Sequence, residues 1–223
     1  MKGNPCVLGV ADHTGWAHVI GVAAPERVPA VVVRRRITLI DPGLPTLPYE
    51  HDTAAMKDAD ADELIARVRR SVDRHCRVAL ERLAAELSPT GRVVALAIRE
   101  PPFEELPATV AEVRRSYRLQ CSADGMLYQL ALCRAAAKLG LDVQLCRRGE
   151  ETSRAAQCLD TTPGEVEEFV SRTGRPAGPP WTQEHCRAFA AAIAALSQHV
   201  RGGLSLISCS RGPSPRLKPR GYL

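Results

Sequence analysis

Two stretches decide the fold: Val7-Leu8-Gly9-Val10-Ala11-Asp12 and Val93-Val94-Ala95-Leu96-Ala97-Ile98-Arg99-Glu100. Each is a short, nearly uninterrupted apolar run, the pattern of a strand buried on both faces, and each ends on an acid. Open α/β sheets place their chemistry at the carboxyl edge of such strands, so Asp12 and Glu100 become candidate site residues on position alone.

Outward from the first run, residues 17–24 and 30–40 read as two further strands. The joining Asp12-His13-Thr14-Gly15-Trp16 is short enough for a hairpin. Arg34-Arg35-Arg36 in the third strand implies a sheet edge or a solvated face. A Pro-rich loop follows. Leu64, Val68, Val72, Cys76, Leu80, Leu83 and Leu87 then recur every three or four residues, which predicts a long amphipathic helix stopped by Ser88-Pro89-Thr90-Gly91.

Past the strand ending near Glu100, helices are expected over about 107–118 and 123–139, with Ser122-Ala123-Asp124 capping the second, and a fifth strand at 142–146. A short helix near 150–159 comes next. Thr162-Pro163-Gly164-Glu165 then carries a capping box with Pro at the first helical position. The Gly/Pro linker 174–180 leads into a final alanine-rich helix that begins at Trp181-Thr182-Gln183-Glu184. The order β-β-β-α-β-α-β-α predicts an α/β domain over residues 1–200, a mixed five-stranded sheet with helices on both faces.

The formal net charge of +5 lies entirely in residues 201–223, where Arg201, Arg211, Arg216, Lys218 and Arg220 meet no acid. Residues 1–200 balance 25 basic against 25 acidic groups, so the domain itself carries no basic excess for holding nucleic acid. The Pro/Arg-rich tail is expected to be disordered, and it offers a contact for phosphate or an acidic partner as well as a solubilising end.

The eight cysteines form no C-x-x-C pair, which disfavours a zinc ribbon or finger and fits reduced thiols. No apolar stretch approaches a membrane span and the start lacks a secretory h-region, so a cytoplasmic protein with no membrane partner is the expectation.

This element order, with an acid closing strands one and four, resembles the ribonuclease H-like superfamily, and within it the RuvC-type Holliday-junction resolvases. The resemblance implies a metal-dependent nuclease that cleaves DNA or RNA. Asp12, Glu100 and Glu184 would be ligands for Mg²⁺ or Mn²⁺, and His185 an auxiliary ligand or proton carrier. Two such ions would stabilise the attacking and leaving oxygens of a phosphodiester.

The sequence departs from that pattern twice. The first strand reads Gly9-Val10-Ala11-Asp12 where the family has Gly-hydrophobic-Asp, so Asp12 needs a bulge or the strand end to face the site. Arg187 stands where a further acid is expected. The alternative is a catalytically inactive scaffold or binding subunit of the same fold, with nucleic acid or protein as partner. The residues also have structural uses: Asp12 as a turn residue, Glu184 offsetting a helix dipole, His185 as a cap.

Overall fold

The computed structural model describes residues 4–101, 105–200 and 203–206. Five strands form one sheet: β1 (Pro5–His13), β2 (Trp16–Ala23), β3 (Ala30–Thr38), β4 (Arg92–Arg99) and β5 (Asp142–Cys146). Their order is β3-β2-β1-β4-β5. The first three form an antiparallel meander, and β4 and β5 join parallel to β1. Six helices are interspersed: α1 (Asp58–Leu87), α2 (Val110–Arg114), α3 (Tyr117–Lys138), α4 (Glu151–Leu159), α5 (Pro163–Gly174) and α6 (Gln183–Ser197). This is the ribonuclease H-like layout expected from the sequence.

The sheet separates two cores, and side-chain parity on β1 assigns residues to each. Cys6, Leu8 and Val10 enter the core under α1 and α3, while Val7 and Ala11 pack on the core under α4, α5 and α6. On β4 the register to β1 slips between Cys6 and Val7, so that Val94 is an extra residue. Beyond that bulge Leu96 and Ile98 face α1 and α3, and Ala95 and Ala97 face α6.

α1 buries its predicted stripe, with Leu64, Val68, Val72, Cys76, Leu80 and Leu83 against the sheet. Each large aliphatic side chain buried in this way contributes about 1.5–3 kcal/mol. α6 is held much closer to the sheet, because small residues meet there. An added Cβ on Gly9 would lie 1.9 Å from the Ala188 carbonyl oxygen and 3.0 Å from the Ala192 Cβ.

Several elements differ from expectation. The helix expected at 107–118 is the single short turn α2, closed by a capping box between Thr109 and Glu112. α3 begins at Tyr117, capped by Ser116, so Asp124 lies inside a helix and does not cap one. Its buried carboxylate accepts the backbone N–H groups of Tyr49 (3.1 Å) and Glu50 (3.0 Å). In that way it fastens a five-residue π-helical turn, Pro48–Asp52, within the expected Pro-rich loop.

β3 is an edge strand, as its arginines imply. Arg35 pairs with Glu86 of α1, and Arg34 donates to the carbonyls of Ala177, Gly178 and Pro180 on the opposite side. The seven cysteines among the described residues are free. No helix among them is long and apolar enough to cross a membrane. Most of the basic tail lies outside the described residues. Gly203–Leu206 are described, with Leu204 buried in the α6-side core and the Ser205 N–H bonded to the Arg27 carbonyl.

The close approach of α6 to β1 yields a paired prediction. Gly9→Ala forces a Cβ into the α6 backbone and should cost about 3 kcal/mol in urea unfolding. Gly125→Ala, mid-helix in α3 with open space around it, should be neutral or stabilising by up to about 1 kcal/mol. Equal effects at the two sites would contradict the packing described.

Candidate functional site

Because β1 and β4 are parallel neighbours, their carboxyl ends emerge side by side, with Val10 opposite Ile98. The first two turns of α6 lie above them, and the loop leading into α4 closes one flank. A cleft opens between these elements, lined by Ala11, Asp12, Arg99, Arg148, Glu151, Glu184 and Arg187. It sits where ligands of open α/β sheets are generally found.

Asp12 is inside β1, paired with Ala17, and the β1–β2 register has no bulge there. Its side chain follows the parity of Leu8 and Val10, toward α3. Oδ1 accepts Nε2 of the buried Gln129 at 3.2 Å, and Oδ2 accepts Nη2 of Arg99 at 3.3 Å. The Asp12 side chain is only 7% exposed. Ala11 takes the direction toward α6, and on the neighbouring strand Arg99 follows Ala95 and Ala97 to the same side. The two strand-end positions that look into the cleft from the α6 side are therefore a methyl group and a guanidinium.

Of the other expected site residues, Glu184 lines the cleft, and its Oε2 accepts His13 Nε2 at 2.6 Å. Glu100 lies past the end of β4, outside the cleft lining, with its carboxylate 3.5 Å from Arg147 Nε. His185 is fully buried away from the cleft and caps its own helix. Its Nδ1 accepts the Thr182 backbone N–H at 3.1 Å and meets Thr182 Oγ1 at 2.6 Å. Nε2, left carrying the hydrogen, has no partner among the described residues. The structure thus brings Asp12 and Glu184 to one cleft and leaves Glu100 and His185 off it.

An aromatic column locks this corner. The His13 ring stacks on Trp16 at 3.8 Å, and the Arg36 guanidinium covers Trp16 at 4.2 Å. His18 meets Trp16 edge-on at 4.8 Å and lies 4.0 Å from His185, which in turn stacks on Trp181 at 5.2 Å. The column ties the β1–β2 hairpin to the start of α6 and so fixes Glu184 and Arg187 over the strand ends.

The donor set does not fit a divalent ion. Magnesium needs several oxygens that are free to turn toward it. Each expected ligand carboxylate is instead engaged by a protein group: Asp12 by Arg99 and Gln129, Glu100 by Arg147, Glu184 by His13. Three arginines share the cleft wall with three carboxylates, so the wall has no excess of negative charge to attract a dication. Among the described residues no three His, Cys, Asp or Glu side chains are grouped to hold a metal.

Sequence reasoning overlooked Arg99 and Arg148 as members of the cleft and Gln129 as the buried partner of Asp12, and noted Arg187 only as a departure. Signals were present: Arg99 shares the strand parity of two small residues, and Gln129 is a lone amide in an otherwise apolar helical segment.

Burial pushes His185 down to about 4, with His18 and Arg34 adding repulsion of its charged form. His185 in the unfolded chain charges near its ordinary value of 6.5, so its contribution to stability is lost as pH falls from about 6.5 toward 4. His18 is depressed in the same direction, whereas Asp124, raised by burial to about 6, acts oppositely over that interval. The comparison is therefore made against His185→Gln in identical buffers. The stability gap between wild type and variant should narrow by more than about 1 kcal/mol between pH 7 and pH 4.5. A constant gap would contradict a neutral, buried His185.

No protein-family model matches the chain, and no curated protein matches its sequence. Among solved structures it is similar to Thermus thermophilus RuvC, at 16% identity over 87% of this chain and 95% of that one, with a TM-score of 0.48. It is also similar to T. thermophilus RuvC in complex with a Holliday junction substrate, at 16% identity over 87% and 94% of the two chains, with a TM-score of 0.45. These are remote likenesses of fold. What the cleft can do follows from its own side chains.

Proposed function

We propose that this chain is a ribonuclease H-like module that does not hydrolyse phosphodiesters and works as a binding subunit, with nucleic acid as the partner class. One observation carries the reading. The strand-end positions facing α6 are Ala11 and Arg99, while Asp12 is turned to α3 and held by Gln129. The pattern Gly-hydrophobic-acid, started at Gly9-Val10, reaches Ala11. Metal-assisted hydrolysis depends on carboxylates that converge on the ions, and a guanidinium supplies a fixed positive charge with no Lewis acidity toward water.

The nucleic-acid partner is drawn from the fold and from the RuvC structure that holds a Holliday junction substrate. A metal-dependent nuclease is the second reading, favoured by one observation: Asp12, Glu151 and Glu184 do line one cleft.

One assay separates the two. Branched, duplex and single-stranded DNA and RNA are incubated with the full-length protein and Mg²⁺ or Mn²⁺. No cleavage above buffer is expected, and Asp12→Asn should behave as wild type does. Cleavage by wild type that Asp12→Asn abolishes would establish the nuclease and end the binding-module reading.

A further inference from the structure

Three arginines and three carboxylates line the cleft, but their hydrogen bonds and ion pairs are unevenly shared. Arg99 is taken by Asp12, and Glu184 by His13. Glu151, almost fully buried, turns Oε2 back onto the Gly149 N–H at 2.9 Å and closes the loop that precedes α4. Two cleft residues remain without a hydrogen-bond or ion-pair partner among the described residues: Arg148 from that loop and Arg187 from the second turn of α6. They come from different elements, each fixed by other contacts. Glu151 holds the loop, and the His185–Thr182 cap with the His13–Glu184 pair holds the start of α6.

We infer that Arg148 and Arg187 form a metal-independent site for a phosphate monoester, either the terminal phosphate of a nucleic-acid strand or the free anion. The inference rests on the non-hydrolytic reading above. Guanidinium forks match phosphate oxygens in geometry, and each charge-assisted pair is stronger than a neutral hydrogen bond. Two unpaired cations suit a monoester, which carries nearly two negative charges at neutral pH, better than an internal diester with one.

Surrounding charge points the same way. Residues 1–200 have no net charge, so the domain offers no overall basic excess for holding the backbone of a long duplex. Binding is concentrated where the two free guanidiniums are. Glu151 and Glu184 line the same cleft and repel an anion, so a bound phosphate has to sit against the two guanidiniums and away from both carboxylates.

The test measures binding of the full-length protein to a 5′-phosphorylated single-stranded oligonucleotide and to its unphosphorylated twin, both in EDTA, with inorganic phosphate as competitor. The phosphorylated strand should bind roughly tenfold tighter or better, and Arg148→Gln and Arg187→Gln should each remove most of that preference. Arg82→Gln on α1, outside the cleft, should leave it intact.

Inorganic phosphate binding that needs Arg187, with no preference between the oligonucleotides, assigns the monoester site to the free anion. Equal affinities with no phosphate competition overturn the site, as does a preference that survives both arginine substitutions or vanishes in EDTA. Failure here leaves the non-hydrolytic reading standing. Cleavage of either strand on adding Mg²⁺ ends that reading by itself.

Discussion

Unbroken alternation along β1 from Cys6 to His13 is the constraint on which the rest of the structure depends. It sends Leu8 and Val10 to one core and Val7 and Ala11 to the other, and so decides which residues meet at the sheet edge. With no bulge before the hairpin, Asp12 must face α3 and His13 must face α6. Each then finds a partner: the Gln129 amide of α3 and the Arg99 guanidinium of the neighbouring strand for the carboxylate, and the Glu184 carboxylate of α6 for the imidazole. Gly9 takes part in the same arrangement by letting the α6 backbone approach β1 closely enough for Glu184 and Arg187 to overhang the strand ends.

The electrostatics of the cleft follow from that geometry. A carboxylate as enclosed as Asp12 cannot stand without compensation, and removing its partner would leave a poorly solvated charge. In a metal-dependent relative that compensation would come from ions; here it comes from Arg99 and Gln129. The internal cation is covalently part of the chain, so its charge is present at every pH and metal concentration at which the protein folds. On the proposed reading, fixed guanidinium charge receives phosphate at this site without a mobile Lewis acid.

The architecture was legible because its signals are local. Apolar runs, a stripe of leucines and valines, a capping box and a Gly/Pro linker placed nearly every strand and helix within a few residues. Asp124 shows where local signals mislead. Ser-Ala-Asp reads as a cap, yet the carboxylate is needed mid-helix to hold backbone N–H groups of a turn some seventy positions earlier, a tertiary demand that overrides propensity. At the cleft the decisive fact was one position of parity. Asp12 and Glu100 looked like the strand-end pair, but Ala11 and Arg99 occupy the directions that matter. The departure from Gly-hydrophobic-Asp was visible in the sequence; its resolution required the register, because a bulge would have reversed it.

The central claim is that fixed protein cations stand where divalent ions would be held, and Mn²⁺ binding followed by electron paramagnetic resonance tests it most directly. Wild-type protein should leave the spectrum of free Mn²⁺ unchanged. The double variant Ala11→Asp, Arg99→Glu, which turns two carboxylates toward Glu184, should sequester the ion. Binding of Mn²⁺ by the wild type that is lost in Asp12→Asn would contradict the account.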